Sequence, residues 1–182
     1  MPNNFLQLIS EYGYLAIFLL ILAQEVGLPS PIPNEFLLLF SGYLTHMGVL
    51  NILLVVTVVI LADFLAGTIL YGIFYYFGNT LLKNKPKWLQ LPEKKIQKVS
   101  ERIQKDGQSS VFVGRLTPLI RGYVSVACGL FQLSNKKYFS ILISTSILWA
   151  LIYIVVGFFI GPYWEYIVNN YTKNSELYFT LI

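Results

Sequence analysis

One cysteine and one histidine stand among 182 residues. Cys128 alone can close no intrachain disulfide and build no multi-cysteine metal site, and His46 is equally solitary, which argues against a zinc enzyme. Charge is scarce too: 12% of the chain is Asp, Glu, Lys or Arg, against roughly 25% in soluble chains. Hydrophobic residues make up 55%, and the mean hydropathy is +0.62. The start, Met1-Pro2-Asn3-Asn4, has no positive n-region and no small-residue cleavage site follows Leu22-Ala23, so the first apolar segment is expected to be retained. The aromatic stretches Tyr71–Phe77 and Tyr163–Tyr166 read as interfacial or packing residues, and nothing in the chain asks for a cofactor.

The positive charge that is present is unevenly placed. No basic residue precedes Lys83, and then Lys83, Lys85, Lys87, Lys94, Lys95, Lys98, Arg102 and Lys105 supply eight of the thirteen Lys and Arg. Apolar segments flank this run, so it reads as a cytoplasmic segment under the positive-inside rule and not as a nucleic-acid site. Between Pro92 and Gly107, Ile96, Val99 and Ile103 form one apolar stripe with basic residues around it. The spacing predicts an amphipathic helix that either lies on anionic lipid of the inner leaflet or docks on its own protein.

That landmark orients the rest as an all-α integral membrane protein of one domain spanning residues 1–182. Half one covers about 5–79, an amphipathic linker 83–106, half two about 108–161, and an interfacial tail 162–182. In half one, residues 5–24 are a first span. Residues 28–47 are apolar but broken by Pro29, Pro31, Pro33 and Gly42, and residues 50–79 are the longest apolar run. Broken backbone at membrane depth is tolerated only under protein or beside a water-filled cavity, so 28–47 is predicted to be a re-entrant hairpin. Half two repeats the pattern: 108–133, broken at Pro118, forms a second hairpin and 138–161 a span. With 83–106 inside, the N-terminus is cytoplasmic and the two halves run in opposite directions. An inverted repeat of hairpin plus span is a transporter architecture with a midplane site.

Five ionisable residues fall inside these apolar stretches: Glu25, Glu35, Asp63, Arg115 and Arg121. Unpaired at the bilayer centre, each costs about 2.5–3.5 kcal/mol, or roughly 12–18 kcal/mol together. That rivals the whole stability of a domain, about 5–15 kcal/mol. They must therefore pair, face water, or do both. Arg115 and Arg121 flank Pro118, and a break there can turn both toward one cavity. Arginine offers a planar fork matched to phosphate oxygens. The two either hold a lipid phosphate or only staple the hairpins through Glu25 and Glu35. Burial favours the neutral carboxyl and a nearby arginine the charged one, so Glu25 and Glu35 are candidates for proton coupling. Asp63 is either a third proton site or a bond to a neighbouring helix.

Three motifs carry a resemblance over about residues 5–165. The first runs from Glu25 to Pro33-Asn34-Glu35. The second is Phe112-Val113-Gly114-Arg115-Leu116-Thr117-Pro118-Leu119-Ile120-Arg121 with Ala127-Cys128-Gly129, and the third is Trp149 with Gly157 and Gly161. Together they resemble the DedA family of bacterial membrane proteins, related to the VTT or SNARE-associated domain of eukaryotic lipid scramblases. Two departures stand out: Asn34 replaces the usual glycine of Pro-Gly-Glu, and Leu70-Tyr71-Gly72-Ile73 lacks the usual Gly-Arg. The resemblance implies a multi-pass protein of the bacterial inner membrane that moves lipids between leaflets. Undecaprenyl phosphate and phosphatidylethanolamine are the implied substrates, with dependence on the proton motive force.

Sequence and resemblance together give the expectation of a proton-coupled carrier of a phosphate-bearing lipid. The rivals are a proton-coupled small-ion transporter using the same acids and a structural membrane protein. An enzyme acting on a lipid phosphate would need a nucleophile and a general acid, and a single His46 outside the arginine motif argues against one.

Overall fold

The computed structural model describes residues 3–28, 30, 32–83, 93–118 and 120–179. It describes side chains for 11–28, 30, 32–78, 98–99, 101–103, 105–118, 120–161 and 163. Pro29, Pro31, residues 84–92 and the side chain of Ile96 lie outside them. Among the described residues every regular element is a helix: α1 (Asn3–Glu25), α2 (Asn34–His46), α3 (Ile52–Lys83), α4 (Glu93–Asp106), α5 (Gln108–Leu116), α6 (Arg121–Leu130) and α7 (Asn135–Phe179).

Helix α3 has 32 residues, about 48 Å at 1.5 Å per residue, more than the ~30 Å hydrocarbon core of a bilayer. Its stretch Ile52–Gly78, and Asn135–Gly161 of α7, are the two described stretches long and apolar enough to cross a membrane. Asn51 starts α3, its Oδ1 accepting from the Leu53 and Leu54 N–H groups at 2.9 and 3.3 Å. One stripe of α3, Val55, Val59, Ala62, Asp63, Ala66 and Leu70, is buried, while Leu53, Leu54, Leu61 and Leu65 face outward. Helix α7 is alike, burying Leu142, Ser146, Trp149 and Ile154 and exposing Ile147, Ile152 and Phe159. Arginine and carboxylate inside, leucine and phenylalanine outside, reverses the usual order of a water-soluble protein and suits lipid.

The short helices cross between the long ones. Helix α2 packs chiefly on α7, and α6 chiefly on α3. Glycine makes both contacts close. A methyl at Gly42 of α2 would meet the backbone of Ile154 and Phe158, and one at Gly129 of α6 would meet the backbone of Tyr71 and Tyr75. Each of these glycines stands at the same position of its own helix, counted from Asn34 and from Arg121. Between α3 and the turn before α7, Tyr71 Oη donates within reach of Leu133 O (2.5 Å) and Asn135 Oδ1 (2.7 Å), and its ring stacks on Tyr138 at 4.1 Å.

One feature departs from the sequence reading, and one alternative it left open is resolved. Residues 28–47 hold one helix, α2, after an irregular stretch beyond Glu25, and not a self-contained hairpin. Pro33 stands at the N-cap of α2, where a missing N–H costs nothing, so this proline opens a helix where an interruption was expected. The segment 108–133 does divide at the expected point: Thr117, before Pro118, has extended backbone (ψ 122°), as a residue preceding proline prefers. Through the tail read as interfacial, 162–182, α7 continues unbroken to Phe179. Polar residues end an apolar span without ending a helix. Finally, Val99 and Ile103 of α4 are buried against Val111 of α5 and Val124 of α6, so the amphipathic helix docks on its own protein while Lys98, Arg102 and Lys105 remain exposed.

Candidate functional site

Asp63 is the hub. It sits in the first half of α3 with no exposed surface, and three neighbours converge on its carboxylate. Arg115 Nη2 donates to Oδ2 at 2.7 Å, Ser146 Oγ of α7 donates to the same oxygen at 2.5 Å, and Arg121 pairs with Oδ1 through Nη2. Arg115 and Arg121 reach it from opposite sides of the break, one at the end of α5 and the other at the start of α6. A continuous helix would turn residues six apart to different faces; the interruption at 117–120 brings both guanidinium groups to one carboxylate.

Glu25 joins from the end of α1. Its Oε1 lies 3.2 Å from Arg121 Nε and accepts from Asn34 Nδ2 at 2.9 Å. Two carboxylates and two guanidinium groups thus share one buried cluster, each no more than 6% exposed. Glu35 does not join it. It is half-buried in the first turn of α2, and no ion pair engages it among the described residues. The staple weighed as an alternative, of the arginines with Glu25 and Glu35, is in the structure a pairing with Glu25 and Asp63. One residue further round the turn, Glu35 is directed away from the side of α2 on which Asn34 meets Glu25.

The arginines differ in how they are held. Arg115 makes three directed hydrogen bonds, to Asp63, to Ser125 Oγ (3.0 Å from Nη1) and to Thr145 Oγ1 (3.4 Å from Nε). Arg121 is close to both carboxylates, yet its N–H groups are misaligned, and Nε, Nη1 and Nη2 all lack a hydrogen-bond partner. The groups are close enough for charge pairing but not aligned for hydrogen bonding, which are different properties of a contact. The face of the Arg121 guanidinium lies on Trp149, with Cζ 3.3 Å from the ring centroid. Trp149 Nε1 and Asn34 Oδ1 are likewise buried without a partner. Sequence reading had noted Trp149 and Asn34 only as motif positions, because contacts between distant segments leave no local signal.

Helices α2 and α6 both begin at this cluster, and neither start carries a side-chain cap. Uncapped starts present backbone N–H groups and the positive end of the helix dipole. His46 packs edge-on against Phe158, and Cys128 is a buried free thiol. Among the described residues no group of three His, Cys, Asp or Glu side chains gathers at metal-binding range.

A cluster of this kind between two apolar spanning helices invites comparison with known membrane proteins. The sequence pattern of the VTT domain matches residues 32–159, which is most of the chain. The chain belongs to the VTT-domain family. Asp63, Arg115, Arg121, Ser146 and Trp149 fall within the matched span, and Glu25 precedes it. The membrane protein YbfM of Bacillus subtilis is 34% identical over 155 residues, covering 85% of this chain and 94% of that one. The undecaprenyl phosphate transporter A of Staphylococcus aureus is 28% identical over 155 residues, 83% of this chain and 75% of the relative. An alkaline phosphatase-like protein of Lactococcus lactis subsp. cremoris is 25% identical over 190 residues, 97% and 84% respectively. No solved structure matches. This VTT-domain chain is therefore a helical membrane protein of the DedA type.

Proposed function

We propose that this protein moves a phosphate-bearing lipid between membrane leaflets, with Arg115 and Arg121 facing the phosphate and Glu25 and Asp63 as the carboxylates it displaces. One observation carries the reading: Arg121 is buried, charged and held in position, yet its contacts with Glu25 and Asp63 are ion pairs without an aligned hydrogen bond. An incoming phosphate oxygen would gain directed bonds there in exchange for the ion pairs of Arg121 with Glu25 and Asp63. The uncapped starts of α2 and α6 add partial positive charge at the same point. Support also comes from the relatives named undecaprenyl phosphate transporter A in Staphylococcus aureus and Bacillus subtilis.

In this reading the single domain is an inverted repeat, α1–α3 and α5–α7, joined by α4. Packing supports it: α2 on α7 answers α6 on α3. Gly42 meets Ile154 and Phe158 as Gly129 meets Tyr71 and Tyr75, and both pairs of partners are 83 residues apart. The same spacing of 83 separates Asp63 from Ser146, the two residues hydrogen-bonded at the centre. Equivalent positions of two related halves that touch each other lie on the axis relating them. The membrane is the bacterial inner membrane, with the N-terminus and the basic segment 83–106 cytoplasmic. Exposed Lys98, Arg102 and Lys105 on α4 draw anionic inner-leaflet lipid to that face.

Proton coupling follows from competition. When phosphate takes Arg121, Glu25 loses its cation and stays buried, and a proton is the least costly replacement. Glu35, half-buried one residue beyond Asn34, is a second carboxyl for that proton by position and not by contact. A structural staple is the competing reading, favoured by the balance of two acids and two bases in the cluster. Purified protein in proteoliposomes decides between them through leaflet exchange of a labelled lipid phosphate, with and without a pH gradient. Exchange by the wild type that is lost in a folded Arg121→Met variant supports carriage. A folded wild type that moves no phosphate-bearing lipid overturns it.

A further inference from the structure

The chain break that turns Arg115 and Arg121 toward Asp63 has an outer side as well. Two adjoining cavities, of about 530 and 320 Å³, lie between α4 and that break, with Val99, Arg102 and Ile120 in the walls of both. Their chemistry differs. Lys98, Arg102 and Lys105 line the larger one against a single carboxylate, Glu101. These cations recur at intervals of four and three along α4, so they share one face, and no ion pair engages them among the described residues. The smaller cavity is walled chiefly by apolar groups, Val113, Ile120 and Val124 among them, with Asp106 as its carboxylate. Val113 is 60% exposed, so this apolar wall is open to whatever surrounds the protein. Gly107 joins α4 to α5 with φ +62° and ψ −136°, a conformation suited to glycine, and Val99 and Ile103 of α4 then reach Val111 and Val124.

We propose that this recess is a seat for one anionic phospholipid that is held there and not carried, its phosphate on Lys98, Arg102 and Lys105 and an acyl chain along Val113, Ile120 and Val124. The inference rests on the cytoplasmic placement of α4 proposed above, and not on what the buried cluster carries. Charge and apolar surface side by side select the occupant. A soluble anion would meet the cations and leave the apolar wall in water, and a zwitterionic lipid would leave the excess of cations unanswered. An anionic lipid satisfies both halves at once. The seat also has a structural consequence. Gly114 and Ile120 line it, while Arg115 and Arg121, next to them in the chain, lie in the buried cluster. A lipid bridging α4 and this wall therefore ties α4 to the segment that carries both arginines, and stabilises the fold by binding it.

The test titrates detergent-solubilised protein with phosphatidylglycerol and with phosphatidylcholine of the same chains, counting bound lipid by native mass spectrometry. Wild type is expected to bind one phosphatidylglycerol more tightly than phosphatidylcholine. Arg102 is exposed and lines both cavities, so Arg102→Gln should weaken phosphatidylglycerol roughly fivefold, the effect of one cation at an anionic lipid, and leave phosphatidylcholine unchanged. Lys136→Gln removes the same charge from the exposed start of α7, outside the recess, and should change the affinity by less than about twofold. Phosphatidylglycerol should also raise the thermal midpoint of wild type and not of Arg102→Gln. Equal affinity for the two lipids overturns the proposal, and so does equal weakening by the two substitutions, which would reduce the effect to general surface charge. Displacement by millimolar inorganic phosphate would make the occupant a soluble anion and overturn the assignment to a lipid. Arg121→Met settles the place: phosphatidylglycerol binding kept in that variant supports the recess, and binding lost with it puts the lipid in the buried cluster and overturns the proposal. Leaflet exchange in proteoliposomes tests carriage separately, and its absence overturns the functional reading while this site stands.

Discussion

The two sides of Asp63 solve one problem in different ways. On the Oδ2 side, Arg115 and Ser146 donate directly, and Arg115 goes on to Ser125 and Thr145, so every group is committed. On the Oδ1 side, Arg121 is near two carboxylates but aligned with neither, and it rests on an aromatic face. A buried charge is tolerated if it is paired and hydrogen-bonded, and Arg115 meets both conditions while Arg121 meets only the first. The contrast assigns them different work. Arg115 holds the hub together, and Arg121 is available to a ligand.

Removing each arginine is the sharpest way to break that comparison. Arg115→Met strands the amphipathic pocket of Asp63, Ser125 and Thr145, and breaking a buried pair of this kind costs about 3–5 kcal/mol. Its thermal midpoint in detergent should fall far, and yields of folded protein with it. Arg121→Met removes no directed hydrogen bond and Asp63 keeps Arg115; Glu25 loses its cation but can take up a proton in its place, and the loss of aromatic stacking costs about 2 kcal/mol. It should stay folded, with its effect concentrated in lipid exchange. Equal destabilisation by the two substitutions would abolish the distinction between anchor and ligand group.

Ser146 and Ser125 sharpen the picture at the next level. Ser146→Ala removes the hydroxyl that shares Asp63 Oδ2 with Arg115. Hydrogen bonds to charged groups contribute about 1.5–3 kcal/mol, and the thermal midpoint should drop accordingly. Ser125→Ala takes one acceptor from Arg115 and should cost somewhat less, about 1–2 kcal/mol, since water or a shifted rotamer can meet part of the loss. Neither serine touches Arg121, so lipid exchange per folded molecule should change less than twofold in both. A serine variant that stayed stable but lost exchange would reverse the roles of the two sides.

Much of this cluster was legible in the chain, and the reasons for the rest are specific. Charged residues in apolar surroundings are conspicuous by cost alone, which is how Glu25, Asp63, Arg115 and Arg121 could be singled out. Pro118 announced a break because it follows an apolar helical run, and the chain does turn there. Pro33 was ambiguous, since proline opens helices as well as interrupting them, and so 28–47 could be read as a hairpin when it holds a single helix. Glu35 and Asp63 could not be ranked. Which of two acids an arginine meets depends on how α2 and α3 rotate about their axes, and that is fixed by contacts such as Gly42 on α7 and Gly129 on α6. The stack of Arg121 on Trp149 joins segments with no shared pattern, and only the folded arrangement reveals it.

Thr145 offers the finest test of how firmly Arg115 is held. Its Oγ1 accepts from Arg115 Nε at 3.4 Å, near the limit at which a hydrogen bond counts as one, while its own proton is within reach of the Ile141 and Leu142 carbonyls at 2.8 and 3.0 Å. Thr145→Val keeps the shape and the β-branch and deletes the oxygen. If the Asp63 and Ser125 bonds carry Arg115, the variant should lose no more than about 0.5 kcal/mol, a shift near the resolution of a thermal melt. A loss as large as that of Ser125→Ala would mean that the long contact contributes as much as the short one. Arg115 would then depend on all three partners together, and the cluster would have to be treated as a cooperative network in which no single bond sets the geometry.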